Sequence, residues 1–223
     1  MVDLVSPPGQ APPKGVTVHD LSDGLAHFQQ DVFPAKAELF AHLATTHRPQ
    51  TLFIGCSDAR VVPELITQRE PGELFVIRTA GNLVPAHTEG VDGGDGVAAS
   101  IEYAVAVLGV SDIVVCGHSA CGAMTALAAG QDLAELPAIA RWLRHAAPAG
   151  APAGASADPP PRELGALVRA NVAAQLANLA THPAVARALA AGTLTLHGWV
   201  YDIPTGTVER IDPAVGRSAA LAS

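Results

Sequence analysis

Across 223 residues the chain sets 13 Lys and Arg against 21 Asp and Glu, a formal net charge of −8, with 49% hydrophobic and 15% charged residues. That hydrophobic content excludes a disordered polypeptide, and the acidic balance disfavours nucleic acid and anionic membrane surfaces as partners. Apolar runs are broken well short of the roughly 20 residues of a membrane span, and three cysteines are too few for a disulfide framework, so a reducing, cytoplasmic location is expected.

Residues 1–19, rich in proline at the start, are expected to form a flexible arm with neither signal-peptide nor transit-peptide character. Residues 20–47 are expected to be helical. Leu21, Leu25, Phe28 and Val32 recur at helical spacing, and Pro34 restarts a second helix carrying Leu39, Phe40 and Leu43. Short apolar runs at 51–55, 74–78 and 113–116 predict buried strands. Between them, Val97, Ile101, Val105 and Leu108 mark one face of a helix over 93–108. Helices are also expected at 121–128 and 136–145. A Pro/Ala-rich surface loop over 146–162 then precedes an amphipathic helix with Leu164, Leu167, Val168, Val172, Leu176 and Leu179 on its stripe. Residues 193–201 predict a fourth strand, and the turn at Pro204-Thr205-Gly206 leads into a hairpin partner at 207–211. The expected architecture is therefore α/β. It has a mostly parallel central sheet of about four strands plus an antiparallel edge strand, helices on both faces and an N-terminal helical arm. One domain spans 20–213, followed by a C-terminal tail over 214–223.

Two segments carry chemistry: Gly55-Cys56-Ser57-Asp58-Ala59-Arg60 after the first strand, and Gly117-His118-Ser119-Ala120-Cys121-Gly122 after the third. Ligands of open α/β sheets sit beyond the carboxyl ends of the strands, where strand order reverses. If strands one and three are neighbours, Cys56, His118 and Cys121 converge there. Two thiolates and an imidazole suit Zn2+, and three protein ligands leave the fourth position open, the catalytic pattern. The plainer reading of each cysteine is a small buried hydrophobe, which is how Cys116 is read. Asp58 and Arg60 fit a structural ion pair equally well. Beside a metal, Asp58 would accept a hydrogen bond from zinc-bound hydroxide and Arg60 would keep it ionised and aimed.

CSDAR and the VVPELITQREPGELFVIRTAGNLVP that follows it, ASIEYAVAVLGVSDIVVCGHSACGAMTA, VRANVAAQLANL and LHGWVYDIPTG strongly resemble the β-class carbonic anhydrases. The likeness runs over about residues 25–211 and is nearest to the member encoded with bacterial cyanate-degradation genes. It implies that Cys56, His118 and Cys121 bind zinc and that Asp58 and Arg60 form a catalytic dyad. It further implies that Phe75 and Tyr103 line a CO2 pocket from a neighbouring subunit, that the Gly122 N–H contacts substrate, and that the chain is a homodimer or homotetramer. The implied reaction is reversible hydration of CO2 to bicarbonate and a proton. Because two thiolates cancel the charge of Zn2+, the rate is expected to climb through mildly alkaline pH. The resemblance leaves open hydrolysis of CS2 or COS on the same fold, and a non-catalytic zinc or bicarbonate sensor.

The sequence departs from the family pattern at several positions. Ala59 stands where Ser is usual, and Thr79 where many relatives have Asn. His47 stands where plant-like members carry a substrate-binding Gln; it can donate one hydrogen bond or carry protons near pH 7, and a solvated helix-end histidine is the alternative. Phe53 replaces a Trp of the bicarbonate-inhibited members, although Arg78 matches a basic residue associated with their allosteric pocket.

Overall fold

Residues 15–88, 96–146, 161–211 and 218–220 are described by a computed structural model of the chain. Most of the arm expected over 1–19, most of the 146–162 loop and most of the 214–223 tail lie outside them, and the first helix begins at Val18, inside the expected arm. The chain divides into two compact units, Met1–His47 and Arg48–Ser223.

In the first unit, α1 (Val18–His27) opens on a reciprocal cap: Thr17 Oγ1 accepts the Asp20 N–H, and the Asp20 carboxylate accepts the Thr17 N–H. The helical path then widens over Phe28–Val32, continues through α2 (Phe33–Ala35), and breaks at Lys36 before α3 (Ala37–Leu43). The break thus falls two residues after Pro34, not at it. Wide turns relieve the missing N–H and ring clash that a proline brings to a regular helix. Phe28, Phe33 and Phe40 cluster, with ring centroids 5.4–6.1 Å apart.

The second unit is built on a six-stranded sheet. Its strands are β1 (Thr51–Cys56), β2 (Leu74–Thr79), β3 (Asp112–His118), β4 (Thr195–Tyr201), β5 (Val208–Ile211) and β6 (Ser218–Ala220), in spatial order β2-β1-β3-β4-β5-β6. The first four are parallel, while β5 and β6 run antiparallel to their neighbours. The expected parallel core and antiparallel β5 are present, and β6 adds a short sixth strand. Helices α4 (Pro63–Thr67), α5 (Gly96–Glu102), α6 (Gly122–Ala128), α7 (Pro137–Trp142), α8 (Pro161–Thr181) and α9 (Pro183–Ala190) fill the connections. Helix α8 starts inside the segment read as a loop. No described helix is long and apolar enough to cross a membrane.

Side chains alternate across the sheet with period two. Leu52, Ile54, Ile113, Val115 and Val200 join Ile101 and the α8 stripe of Val168, Val172, Leu176 and Leu179 in the main core. Phe53, Val114 and Cys116 point the other way, towards Trp199 and Tyr201. Helix α8 lies close on the sheet because β3 and β4 offer it glycines. A Cβ on Gly117 would sit 2.9 Å from Val172 Cγ2, and one on Gly198 2.9 Å from Leu176 Cδ1.

Candidate metal centre

Strand β1 has β2 on one side and β3 on the other, so the chain reverses its direction of travel across the sheet between β1 and β3. The crevice beyond their carboxyl ends is where such sheets bind ligands. Cys56 ends β1 and His118 ends β3. Cys121, in extended backbone, caps α6, and its carbonyl accepts the Thr125 N–H. Ala120 between them has φ +52°, a left-handed conformation unusual for a residue with a Cβ. That turn folds the His-x-x-Cys segment back so that both donors face Cys56. All three are buried, and their ligand atoms lie within 4.8 Å of one another.

The donor set fits a cation. His118 Nδ1 is 2.9 Å from the Ser119 carbonyl oxygen, which can only accept, so Nδ1 carries the proton and Nε2 offers its lone pair. Nε2 is fully buried and has no hydrogen-bond partner, a costly state unless something binds there. The two sulfurs are close enough to interact through a thiol proton. The Cys121 thiol, helped by the backbone N–H groups of Asp58 and Gly81, pulls the Cys56 thiol down against burial. The same contact, together with burial, pushes Cys121 up. A divalent cation would replace that proton and hold both sulfurs as thiolates. Cys116 stands apart: burial pushes its thiol up to about 12, as suits a core residue.

Asp58 stands beside this cluster, its Oδ2 3.9 Å from His118 Nε2. Arg60 grips it with both prongs, Nε to Oδ1 at 2.9 Å and Nη2 to Oδ2 at 2.6 Å, and the Arg60 N–H adds a bond to Oδ1. Those bonds lower the carboxyl to about 2 despite partial burial. The guanidinium is anchored in turn on the Ala120 carbonyl, 3.0 Å from Nη2.

A family model for carbonic anhydrase matches residues 51–208. The carbonic anhydrase of Pseudomonas aeruginosa is 59% identical over 206 residues, 92% of each chain. The solved β-carbonic anhydrase CcaA superposes with a TM-score of 0.80 at 37% identity, covering 92% of each chain. The chain belongs to the β-carbonic anhydrases. A tetrameric β-carbonic anhydrase of Sordaria macrospora also matches, with a TM-score of 0.73 at 26% identity over 91% of this chain and 98% of that one. As a carbonic anhydrase, the protein has CO2 hydration as its reaction.

Of the remaining residues tied to β-carbonic anhydrases by resemblance, Gly122 begins α6 directly after Cys121, with open space where a Cβ would stand. Phe75 and Tyr103 meet each other, ring centroids 6.0 Å apart. They do not share a level with the cysteines: Phe75 pairs with Leu52 and Thr79 with Cys56, an offset of four residues or about 13 Å along the strand. His47 ends the first unit. Ala59 is exposed, and the buried Thr79 hydroxyl donates to the Leu83 carbonyl. Arg78 has a role that the sequence did not disclose. From β2 it donates to the carbonyls of Cys56, Asp58 and Val61 at 3.0, 2.6 and 2.8 Å, bracing the loop that carries Asp58 and Arg60. The available signal was a charged residue following the apolar run of β2, next to its last residue.

Proposed function

We propose that this carbonic anhydrase works through Zn2+ held by Cys56, His118 and Cys121, with Asp58 and Arg60 as its catalytic dyad. The observation that carries the reading is the buried, unpartnered His118 Nε2 facing two cysteine sulfurs, with the Asp58 carboxylate 3.9 Å away. Bound zinc supplies the Lewis acidity that makes water a nucleophile near neutral pH. The chain's own residues then orient the reaction. Asp58, ionised throughout the working range, only accepts hydrogen bonds. An attacking oxygen that gives its proton to Asp58 Oδ2 in a hydrogen bond turns its lone pairs towards the carbon of CO2. Arg60 fixes the carboxylate plane, and the Gly122 N–H is available to a substrate oxygen. Water and CO2 thereby yield bicarbonate and a proton, and His47 is proposed to carry that proton away.

Phe75 and Tyr103 are proposed to line the CO2 pocket of a second subunit, which their offset from the cysteines in their own chain favours. The proposed assembly is a homodimer or homotetramer. The tetrameric relative and the exposed apolar residues Leu21 and Leu25 of α1 support it. Light scattering on the purified protein tests it. A reducing cytoplasm suits the three free thiols. The likeness to the enzyme of cyanate-degradation genes suggests bicarbonate recycling in that process, which an adjoining cyanase gene would support.

Metal analysis with stopped-flow CO2 hydration tests the central claim. One zinc per chain, loss of turnover on stripping the metal, and a large fall in Asp58→Ala are expected. Active protein without stoichiometric zinc would overturn it. COS and CS2 as alternative substrates separate a hydrolase from a hydratase.

A further inference from the structure

The block VRANVAAQLANL places two polar side chains, Asn171 and Gln175, on the buried face of α8, both wholly inaccessible to solvent. Buried amides need partners, and theirs lie on the segment between β2 and α5 and at His145 after α7. Asn171 Nδ2 donates to the Gly81 carbonyl at 3.0 Å. Gln175 Nε2 donates to Asn171 Oδ1 at 2.9 Å and to the His145 carbonyl at 3.1 Å, while Gln175 Oε1 accepts the Val84 N–H at 2.8 Å. From α7, Trp142 Nε1 donates to the Ala80 carbonyl at 2.8 Å. The carbonyls on both sides of the Gly81 Cα are therefore held from outside. The Gly81 N–H, which belongs to the same peptide plane as the Ala80 carbonyl, points at Cys56 Sγ from 3.4 Å. Gly81 itself has φ +76°, and a Cβ there would lie 3.0 Å from Ala123 Cβ.

We infer that Trp142 and Asn171 are positioning residues of the metal centre, clamping the peptides around Gly81 so that one backbone N–H stays on the Cys56 sulfur. The claim rests on the reading of Cys56 as a zinc ligand. An N–H directed at a metal-bound thiolate withdraws charge from the sulfur and fixes its direction, the work of partners behind the ligands in metal sites. A chain of bonds from indole N–H through a peptide to sulfur is also mutually polarising, so removing its first member weakens the last.

The test uses the full-length protein, with Trp142→Phe, which deletes the donor and keeps an aromatic ring, and Asn171→Leu. Thr181→Ala serves as comparator. It severs another bond from α8 to the same segment, Thr181 Oγ1 to the His87 N–H, without touching Gly81. Zinc affinity is measured by competition with a chromophoric chelator, and the sulfur-to-metal absorption band is recorded after cobalt substitution. Trp142→Phe and Asn171→Leu are expected to bind zinc about 10–100-fold more weakly and to shift the cobalt band, while Thr181→Ala matches wild type in both. If Asn171→Leu does not fold, Trp142→Phe alone decides. Variants within twofold of wild type, with the cobalt band unmoved, overturn the inference even if their melting temperatures fall. Wild type that takes up no stoichiometric metal overturns the zinc reading itself, and this one with it.

Discussion

Arg60 meets Asp58 fork to fork, two guanidinium nitrogens on two carboxylate oxygens at 2.9 and 2.6 Å. Lysine carries the same charge but presents no fork, so it can keep the attraction and not the orientation. Arg60→Lys is expected to lower kcat/KM for CO2 hydration by about 10–100-fold, the scale of a small misplacement of a catalytic group, with zinc content unchanged. Stopped-flow rates paired with metal analysis check this. Equal loss of zinc and activity would place Arg60 in the metal site's architecture instead.

The three cysteines should separate cleanly. Cys116 lies in β3 among Phe53 and Val114, its thiol driven up by burial, and Cys116→Ala is expected to keep one zinc per chain. Cys121→Ser should leave the metal substoichiometric. Elemental analysis after dialysis against a mild chelator distinguishes them.

The contact between α8 and the sheet predicts a stability effect away from the dyad. On Gly198 a Cβ would meet Leu176 Cδ1 at 2.9 Å, Val172 Cγ1 at 3.0 Å and Ile211 Cβ at 3.1 Å. Gly198→Ala is expected to cost about 1–3 kcal/mol, the range of an overpacked core. The midpoint of urea unfolding reports it.

Acid stability has a contribution from the opposite end of the sheet. Asp112 Oδ1 lies 2.7 Å from His197 Nε2, and Ser111 adds a second bond. Together these hold the Asp112 carboxyl below its ordinary 3.8. A lowered folded-state value means that the stabilisation is complete above the ordinary value and disappears as pH falls through the lowered one. Both partners are more than a third exposed, so the effect is under about 1 kcal/mol. Asp112→Asn should flatten the stability profile below pH 4 and leave hydration at neutral pH unaffected. Urea melts between pH 3 and 7 test the sign.

Strands β1 to β4 are legible in the sequence because each is a short apolar run bounded by turn residues. The candidate ligand trio is legible because each member follows such a run within a Gly-bounded segment. Helices α4 and α9 are not. The first is five residues long and the second eight, both too short for the apolar periodicity that marks a helix to repeat. Asn171 and Gln175 interrupt the apolar stripe of α8, so periodicity treats them as exceptions, and Asn171 finds its carbonyl partner 90 residues away. Arg78 is hidden for a related reason: its partners are backbone oxygens, which leave no trace in residue type. Side-chain chemistry can be read from spacing, whereas contacts between side chains and distant backbone cannot.

Strand β2 lies at the margin of the sheet, and Arg78 crosses from it to the carbonyls of Cys56, Asp58 and Val61, at the end of β1 and along the loop that carries Asp58 and Arg60. Edge and loop are therefore tied twice, by that guanidinium and by the Ser57 N–H on the Thr79 carbonyl at 3.0 Å. A displacement of that outermost strand would act directly on the backbone from which Asp58 projects.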